Sequence, residues 1–241
     1  MRRIVKKGEP KELIDYKLSN KDVKKNLDYR YLGAKERGPL KETLIMEQGY
    51  LCAYTMKRIS MDTCHIEHIK PEGLCREQAN RGLQTVSDLD YLNMVACFPK
   101  EGMSSKIRYG AQFKDNWWDD DGRNFISPLA SNCEDQFSFD IKGNISGTTV
   151  SARTTIDVLK LDHGSLTEDR KRAIDTFLYG ENQKPISKAK AQSALIEIMQ
   201  LQSGMYPQFC LTIKWALQEH ISRIDKLALK AKHIKSAKNK K

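Results

Sequence analysis

The sequence predicts an α+β fold in which a small ββα unit precedes a largely helical C-terminal half. Two short strand-like runs, at 50–54 and 63–69, come before a segment with helical spacing at 87–96. Beyond residue 154, apolar residues recur every three to four positions in several segments, which is the pattern of amphipathic helices. We therefore expect a mixed fold with most of its helices at the C-terminal end.

The first 48 residues are predicted to hold a polar arm and one helix. Residues 1–39 are rich in Lys and Arg and poor in bulky apolar side chains, so we expect a basic N-terminal arm with a marginal helix over 20–37. Apolar residues at helical spacing predict a firmer helix over 40–48, and Gly49 is a suitable stop.

The two predicted strands lead into a helix that would carry Asn93. Pro71 and Gly73 end the second strand, and a variable loop follows. Ser87 or Asp88 is a suitable cap for a helix over 87–96, before Pro99. The segment 40–115 would thus form one ββα module.

The rest of the chain is predicted to contain a hairpin, four helices and a tail. Alternating apolar residues at 137–141 and 144–146 flank Lys142-Gly143, which favours a β-hairpin. Helical spacing follows over 154–161, 167–179, 187–202 and 207–232. We expect residues 116–229 to form the hairpin and helical region, and 230–241 to form a mobile basic tail.

Composition narrows the class of partner. The chain has 41 Lys and Arg against 31 Asp and Glu, a net charge of +10, which favours a polyanion such as nucleic acid. No stretch approaches the roughly 18 apolar residues that a membrane span requires, and the basic N-terminus is not followed by an apolar signal segment. We expect a cytoplasmic protein that does not bind a membrane.

The cysteines do not predict disulfides or a zinc site. The six cysteines are scattered, and no Cys-x-x-Cys pair occurs among them. Such spacing is typical of reduced, buried thiols in a chain of this size, and the usual signal for structural zinc is absent.

The segment His65-Ile66-Glu67-His68, followed by Asn93, is the strongest functional signal. A phosphodiester is cut by water when a base activates the water and a hard cation neutralises the phosphate. His68 is a candidate general base, and Glu67 and Asn93 offer oxygen ligands to Mg²⁺ or a similar divalent ion such as Mn²⁺. In a regular strand Glu67 and His68 face opposite sides, so a bend after Glu67 is expected. Either histidine alone would be typical of a half-buried strand, whereas the whole set favours a metal-dependent nuclease.

These residues carry a family resemblance. The order Cys52-Ala53-Tyr54, His65-Ile66-Glu67-His68, Pro71 and Leu92-Asn93 resembles the HNH, or ββα-metal, endonucleases. Further blocks between residues 126 and 172 are similar to the HNH protein of Septu-type and related retron-linked anti-phage systems.

The resemblance implies residue roles and a partner. It implies that His68 is the general base, that Glu67 and Asn93 hold the metal, and that His65 belongs to the active site. It also implies an ABC-type or SMC-like ATPase that restrains or licenses the nuclease. DNA is the expected substrate.

The chain departs from the family pattern at two places. Cys52 and Cys97 each lack the second cysteine of the family's zinc-binding pairs, so structural zinc is not expected. A family histidine is also missing ahead of Lys114. We expect Lys106, Arg108 and Lys114 to contact nucleic acid.

Two alternatives to a DNA nuclease stay open. One is an HNH effector that cleaves RNA, including tRNA. The other is a non-catalytic adaptor that binds nucleic acid or the ATPase and retains the HNH shape. The presence of Glu67, His68 and Asn93 together favours catalysis.

Overall fold

Eight α-helices and four short strands follow one another along the part of the chain that the computed structural model describes. It describes residues 1–23, 26–83, 86–100, 102–103, 107–179 and 183–238, with the main chain alone at 120 and 235–238. The elements are α1 Lys11–Ser19, α2 Ala34–Glu47, β1 His65–His68, α3 Glu72–Asn80, β2 Met94–Cys97, α4 Ala111–Lys114, β3 Phe137–Phe139, β4 Ile145–Gly147, α5 Val150–Leu159, α6 Gly164–Leu178, α7 Lys188–Glu197 and α8 Cys210–Lys238. The mixed α+β class is confirmed.

The N-terminal residues pack into the body of the protein. Met1, Ile4 and Leu13 are buried in the main hydrophobic core, so the prediction of a separate polar arm is wrong. The helix expected over 20–37 is wrong as well, because α1 ends before it and a 3₁₀ turn, Tyr29–Tyr31, lies within it. A few apolar side chains along a basic segment are sufficient to anchor it to the core, because burying each of them removes apolar surface from water.

Helix α2 begins earlier than predicted and crosses the expected boundary at residue 39. The Gly33 N–H donates to the Glu36 carboxylate at 2.9 Å, which satisfies a main-chain donor at the start of the helix. Pro39 lies inside α2. Gly33 and Glu36 are the sequence signal for this start. Gly38-Pro39, a pair that usually interrupts a helix, had favoured a later start. The other boundaries, at 115 and 229, stay predictions.

The central strand pair differs from the predicted ββα order. Strand β1 pairs antiparallel with β2, His65 opposite Cys97 and His68 opposite Met94. The helix predicted over 87–96 is wrong, because Tyr91–Asn93 is a single 3₁₀ turn and β2 follows at once. All four residues of β2 are buried, and such a short apolar run has no periodicity that distinguishes strand from helix.

The strand predicted over 50–54 is a turn instead. Tyr50 and Met56 have positive φ angles, and a single isolated bridge joins Leu51 to Arg58. The loop expected after Pro71 contains helix α3. The bend expected after Glu67 comes one residue later, since β1 continues through His68 and the chain bends at Ile69 and Lys70.

The hairpin and the C-terminal helices are confirmed, with shifted ends. Strands β3 and β4 pair antiparallel, Phe137 opposite Gly147. The turn packs tightly on α6: Gly143 has φ +85°, and a Cβ there would lie 2.3 Å from the Thr167 carbonyl oxygen. Only glycine fits this turn without moving the backbone.

Two hydrophobic clusters hold the helices and strands together. The larger one extends from the N-terminus through β1, β2 and α5 to the start of α8. The smaller one lies between α6, α7 and α8 and includes Ile174, Ala191 and Leu217. Helix α8 continues to Lys238, so the prediction of a mobile tail from residue 230 is wrong up to that point. Residues 239–241 lie outside the described chain.

Within the described ranges, no helix has the combination of length and apolar character needed to cross a bilayer.

Candidate active site

Strand β1 brings its predicted site residues to the wall of one cavity. A cavity of about 400 Å³ is lined by His65, Glu67 and His68. Side chains from four other parts of the chain complete its wall, and these are Tyr29, Arg30, Arg37, Pro71, Glu72, Ala111, Gln112, Asp115 and Asn116, together with Ile66 of β1. The clustering expected for His65, Glu67 and His68 is thus present in the structure.

His68 is buried and held in a defined tautomer. Its Nε2 lies 2.8 Å from the Asp88 carbonyl oxygen. A carbonyl only accepts hydrogen bonds, so Nε2 carries the proton and Nδ1 is the basic nitrogen of the neutral ring. The Tyr29 ring packs edge-on against the imidazole, with centroids 4.6 Å apart. Burial lowers the pKa of His68, although the Asp88 carbonyl opposes this, so the neutral ring, which can accept a proton, is the favoured form near pH 7.

The pKa of His65 is shifted in the opposite direction. Its Nδ1 is hydrogen-bonded to the Pro99 carbonyl, and its Nε2 lies 3.6 Å from Glu67 Oε2. Burial opposes a charge on His65, but Glu67 and the Pro99 carbonyl outweigh burial and raise its pKa. The site therefore combines a histidine that favours the neutral form with one whose protonated form is stabilised.

Glu67 is paired with two cationic groups. Besides His65, it accepts a hydrogen bond from Lys114 Nζ at 3.0 Å. Burial favours the neutral acid, but His65 and Lys114 outweigh burial, so the pKa of Glu67 is lowered and the carboxylate is charged. Lys114 also donates to the His68 carbonyl at 3.2 Å. The end of α4 is thereby tied to β1.

The predicted role of Lys114 as a surface contact to nucleic acid does not fit its position. Lys114 is 1% exposed and its ammonium group faces Glu67. Arg108 is exposed but lines neither this cavity nor the one beside it. Lys106 lies outside the described residues. Of the two predicted nucleic-acid contacts that the structure describes, Arg108 therefore has the accessible side chain.

Asn93 braces the main chain beside the site. Its Oδ1 accepts from the Lys70 N–H at 2.8 Å, and its Nδ2 donates to the Lys70 carbonyl at 2.9 Å. Asn93 is 5% exposed and lines a different cavity, shared with Lys70 and Trp118, rather than the cavity of Glu67. The side-chain amide thus takes the place of a backbone pairing partner at the point where β1 ends.

Glu67 and Asn93 therefore do not fit as the two protein ligands of one metal ion. They line separate cavities, the Glu67 carboxylate is already paired with Lys114, and both polar atoms of Asn93 are bonded to Lys70. Among the described residues, no group of three or more His, Cys, Asp and Glu side chains is placed to hold a metal ion. The prediction of this ligand pair is corrected on these contacts.

Cys52 and Cys97 pack together as thiols. All six cysteines are free and buried. The Cys52 Sγ accepts from the Phe98 N–H at 3.3 Å. Burial opposes ionisation of Cys52, but hydrogen bonds from Cys97, Thr55 and nearby amides outweigh burial and lower its pKa, whereas burial and Cys52 raise the pKa of Cys97. The other two positions of a zinc knuckle are Thr55 and Lys100, which do not supply the missing thiolates.

The sequence reasoning missed several residues of the cavity. Tyr29 contacts His68 from the N-terminal segment that had been predicted to be an arm. Asp88 orients His68 through its main chain, for which no side-chain signal exists. Glu72 and Asp115 add carboxylates to the wall. Glu72 directly follows Pro71 of the recognised motif, so its proximity was the one signal available.

The chain is similar in sequence to one known protein that is described as a nuclease. No protein-family model matches the chain. The chain is 31% identical over 139 residues to a protein of Vibrio cholerae serotype O1 biovar El Tor described as "Retron Vc95 putative HNH endonuclease". The match covers 55% of this chain and 62% of the Vibrio protein, so it spans less than two thirds of that relative. The chain is thus similar, over about half its length, to a protein described as a retron-associated HNH endonuclease.

Proposed function

We propose that this protein is an endonuclease that cleaves phosphodiester bonds of nucleic acid, with His68 as the general base. The observation that carries the proposal is the hydrogen bond from His68 Nε2 to the Asp88 carbonyl at 2.8 Å. It leaves Nδ1 as the basic nitrogen in a cavity that also holds His65 and Glu67. Orienting one ring nitrogen so that the other accepts a proton is the usual arrangement of a histidine base.

The chemistry follows from the two different histidines. His68 Nδ1 takes a proton from the attacking water as the water oxygen bonds to phosphorus and the P–O bond to the leaving group breaks, and the leaving oxygen takes up a proton from solvent. His65, whose pKa is raised by Glu67 and the Pro99 carbonyl, supplies positive charge in its protonated form in the same cavity, where the phosphate becomes more negative. Glu67 orients His65 and, through Lys114, fixes α4 against the strand.

The biological setting extends this proposal. The name of the Vibrio relative places that protein in a retron. Together with the sequence blocks between residues 126 and 172, it supports a role for this chain as the nuclease of an anti-phage complex. We extend the proposal to an ATPase partner and to DNA as the substrate.

A second candidate function is an adaptor that binds nucleic acid without cutting it. The pairing of Glu67 with Lys114 favours it, because a carboxylate neutralised by a buried lysine is a weak ligand for a metal ion. Such a protein would keep the cavity and its basic surroundings. Cleavage distinguishes the two functions.

The test compares purified protein with its His68→Ala variant on supercoiled plasmid DNA and on total bacterial RNA. Both are assayed with Mg²⁺, with Mn²⁺ and with EDTA, alone and with the ATPase co-expressed. Loss of a general base slows cleavage by about 10²- to 10⁴-fold. His163→Ala is the matched control, because His163 caps α6 and does not line the cavity. Thermal melts of all three proteins check folding.

Equal cleavage by wild type and His68→Ala would remove His68 from the mechanism. Binding of nucleic acid without cleavage in every condition would favour the adaptor. Cleavage of RNA alone would select the RNA-cleaving alternative over DNA.

A further inference from the structure

A second cavity adjoins the candidate active site. Its volume is about 360 Å³, and it shares Tyr29, Arg37, His65 and Ile66 with the first cavity. The rest of its wall comes from α2, from the turn before β1 and from the segment after β2, and consists of Ala34, Gly38, Lys41, Met61, Cys64 and Lys100. The two cavities therefore adjoin each other, with His65 and Arg37 in the wall of both.

The charges of the two cavities differ. The first has the carboxylates of Glu67, Glu72 and Asp115 in its wall. Among the described residues, the wall of the second has three basic side chains, Arg37, Lys41 and Lys100, and no carboxylate. The electrostatic potential is thus positive beside the site where a phosphodiester would react, which favours an anion there.

The three cations keep hydrogen-bond donors available. Arg37 and Lys41 are four residues apart on α2, so both lie on one face of that helix. Arg37 Nη2 donates to the Tyr29 carbonyl at 3.1 Å, whereas its Nε is buried and has no partner among the described atoms.

Lys41 and Lys100 also have unused donors. Lys41 donates to the Met61 carbonyl at 2.7 Å, which uses one of its three N–H groups. Lys100 is exposed, and no partner is found for it within the described ranges. A guanidinium group and two ammonium groups with unused donors are the usual means of binding phosphate.

We propose that the second cavity binds a backbone phosphate of the nucleic-acid strand next to the phosphate that is cleaved. This rests on the proposed function, because the phosphate in the second cavity would belong to the same nucleic-acid strand that the first cavity binds. Arg37, on the shared wall, would bind between the two phosphates, while Lys41 and Lys100 hold the flanking one. The contacts are to phosphate, so they add affinity without sequence preference.

The test measures binding rather than cleavage. Full-length protein with His68→Ala is titrated into a fluorescent 20-nucleotide single strand and into a 20-base-pair duplex at several KCl concentrations. Adding Lys41→Ala and Lys100→Ala is expected to weaken binding. The slope of log affinity against log salt should fall by about 0.7 per lysine for the single strand and about 0.9 for the duplex. A parallel set in the wild-type background follows cleavage where it occurs.

Lys35→Ala is the matched control. Lys35 is an exposed lysine of the same helix that does not line the cavity. Lys35→Ala removes one positive charge, as each of the other two substitutions does, and it should leave the salt dependence of binding unchanged within experimental error. Lys100→Glu alone is a second variant, at an exposed position where folding does not depend on the side chain. Melting curves of each variant accompany the titrations.

Equal slopes for Lys35→Ala and for the Lys41, Lys100 double variant would overturn the proposal. Binding of inorganic phosphate that the double variant loses, with no binding of either strand, would also overturn it, since the ligand would then be a free anion. A reduced slope together with equal cleavage by wild type and His68→Ala would support the phosphate subsite and contradict the proposed base.

Discussion

Replacing Asn93 separates a structural brace from a metal ligand. Asn93→Ala removes both hydrogen bonds to Lys70, at 2.8 and 2.9 Å. Lys70 is 6% exposed, so its N–H would lose the Asn93 acceptor in a place with little access to water, whereas its carbonyl would keep the weak Cys75 Sγ donor at 3.7 Å. A buried polar group left unpaired costs about 1–3 kcal/mol, so we expect a loss of about 1–3 kcal/mol in the free energy of unfolding.

Urea unfolding followed by circular dichroism measures this loss. The midpoint should fall while the m-value is unchanged, since the change lies in native stability rather than in the area exposed on unfolding. Asn116→Ala is the control, because Asn116 is an exposed amide bonded to its neighbour Asp115. Its effect should stay within about 0.5 kcal/mol.

Asn93→Asp provides the result that would refute this reasoning. Aspartate keeps an oxygen that accepts from the Lys70 N–H but places a second oxygen against the Lys70 carbonyl, so a brace predicts destabilisation. A carboxylate is a better ligand than an amide for a hard cation, so a metal ligand predicts retained or improved Mg²⁺ affinity. An Asn93→Asp protein with native stability and tighter Mg²⁺ binding by calorimetry would contradict the brace.

Three further predictions concern the neighbouring contacts. Lys114→Met should cost up to about 3–5 kcal/mol in urea unfolding because it leaves the buried Glu67 carboxylate with His65 as its remaining cationic partner. Adding Glu67→Gln should recover part of that loss, and an additive double variant would argue against the pair. The raised pKa of His65 stabilises the fold fully below the ordinary pKa of about 6.5, and this contribution is lost as pH rises through the higher folded value. The stability difference between wild type and His65→Asn should therefore shrink from pH 6 to pH 9, and a constant difference would count against the His65–Glu67 pair. Elemental analysis of purified protein should find no stoichiometric zinc, since Cys52 and Cys97 pack as thiols; one zinc per chain would contradict this.

The sequence by itself determined the elements whose signals are local. Strand β1, the β3–β4 hairpin and the four C-terminal helices were predicted because periodicity and turn residues act within a few positions. The proximity of His65 and Glu67 was predictable for the same reason, since both face one side of a four-residue strand, whereas the strand alternation placed His68 on the other side.

Only the tertiary structure decided which residues pair with strand β1 and contact its side chains. Strand β2 forms because β1 offers it a partner, and four buried apolar residues cannot by themselves distinguish a strand from a helix. Lys114 meets Glu67 from 47 residues away, and the carbonyl that orients His68 belongs to Asp88, 20 residues away. A main-chain carbonyl leaves no mark in the sequence, and the pairing of a lysine depends on which elements pack together. The proposal of nuclease chemistry therefore begins from four adjacent residues, whereas the direction of each pKa shift and the fit to a metal depend on long-range packing.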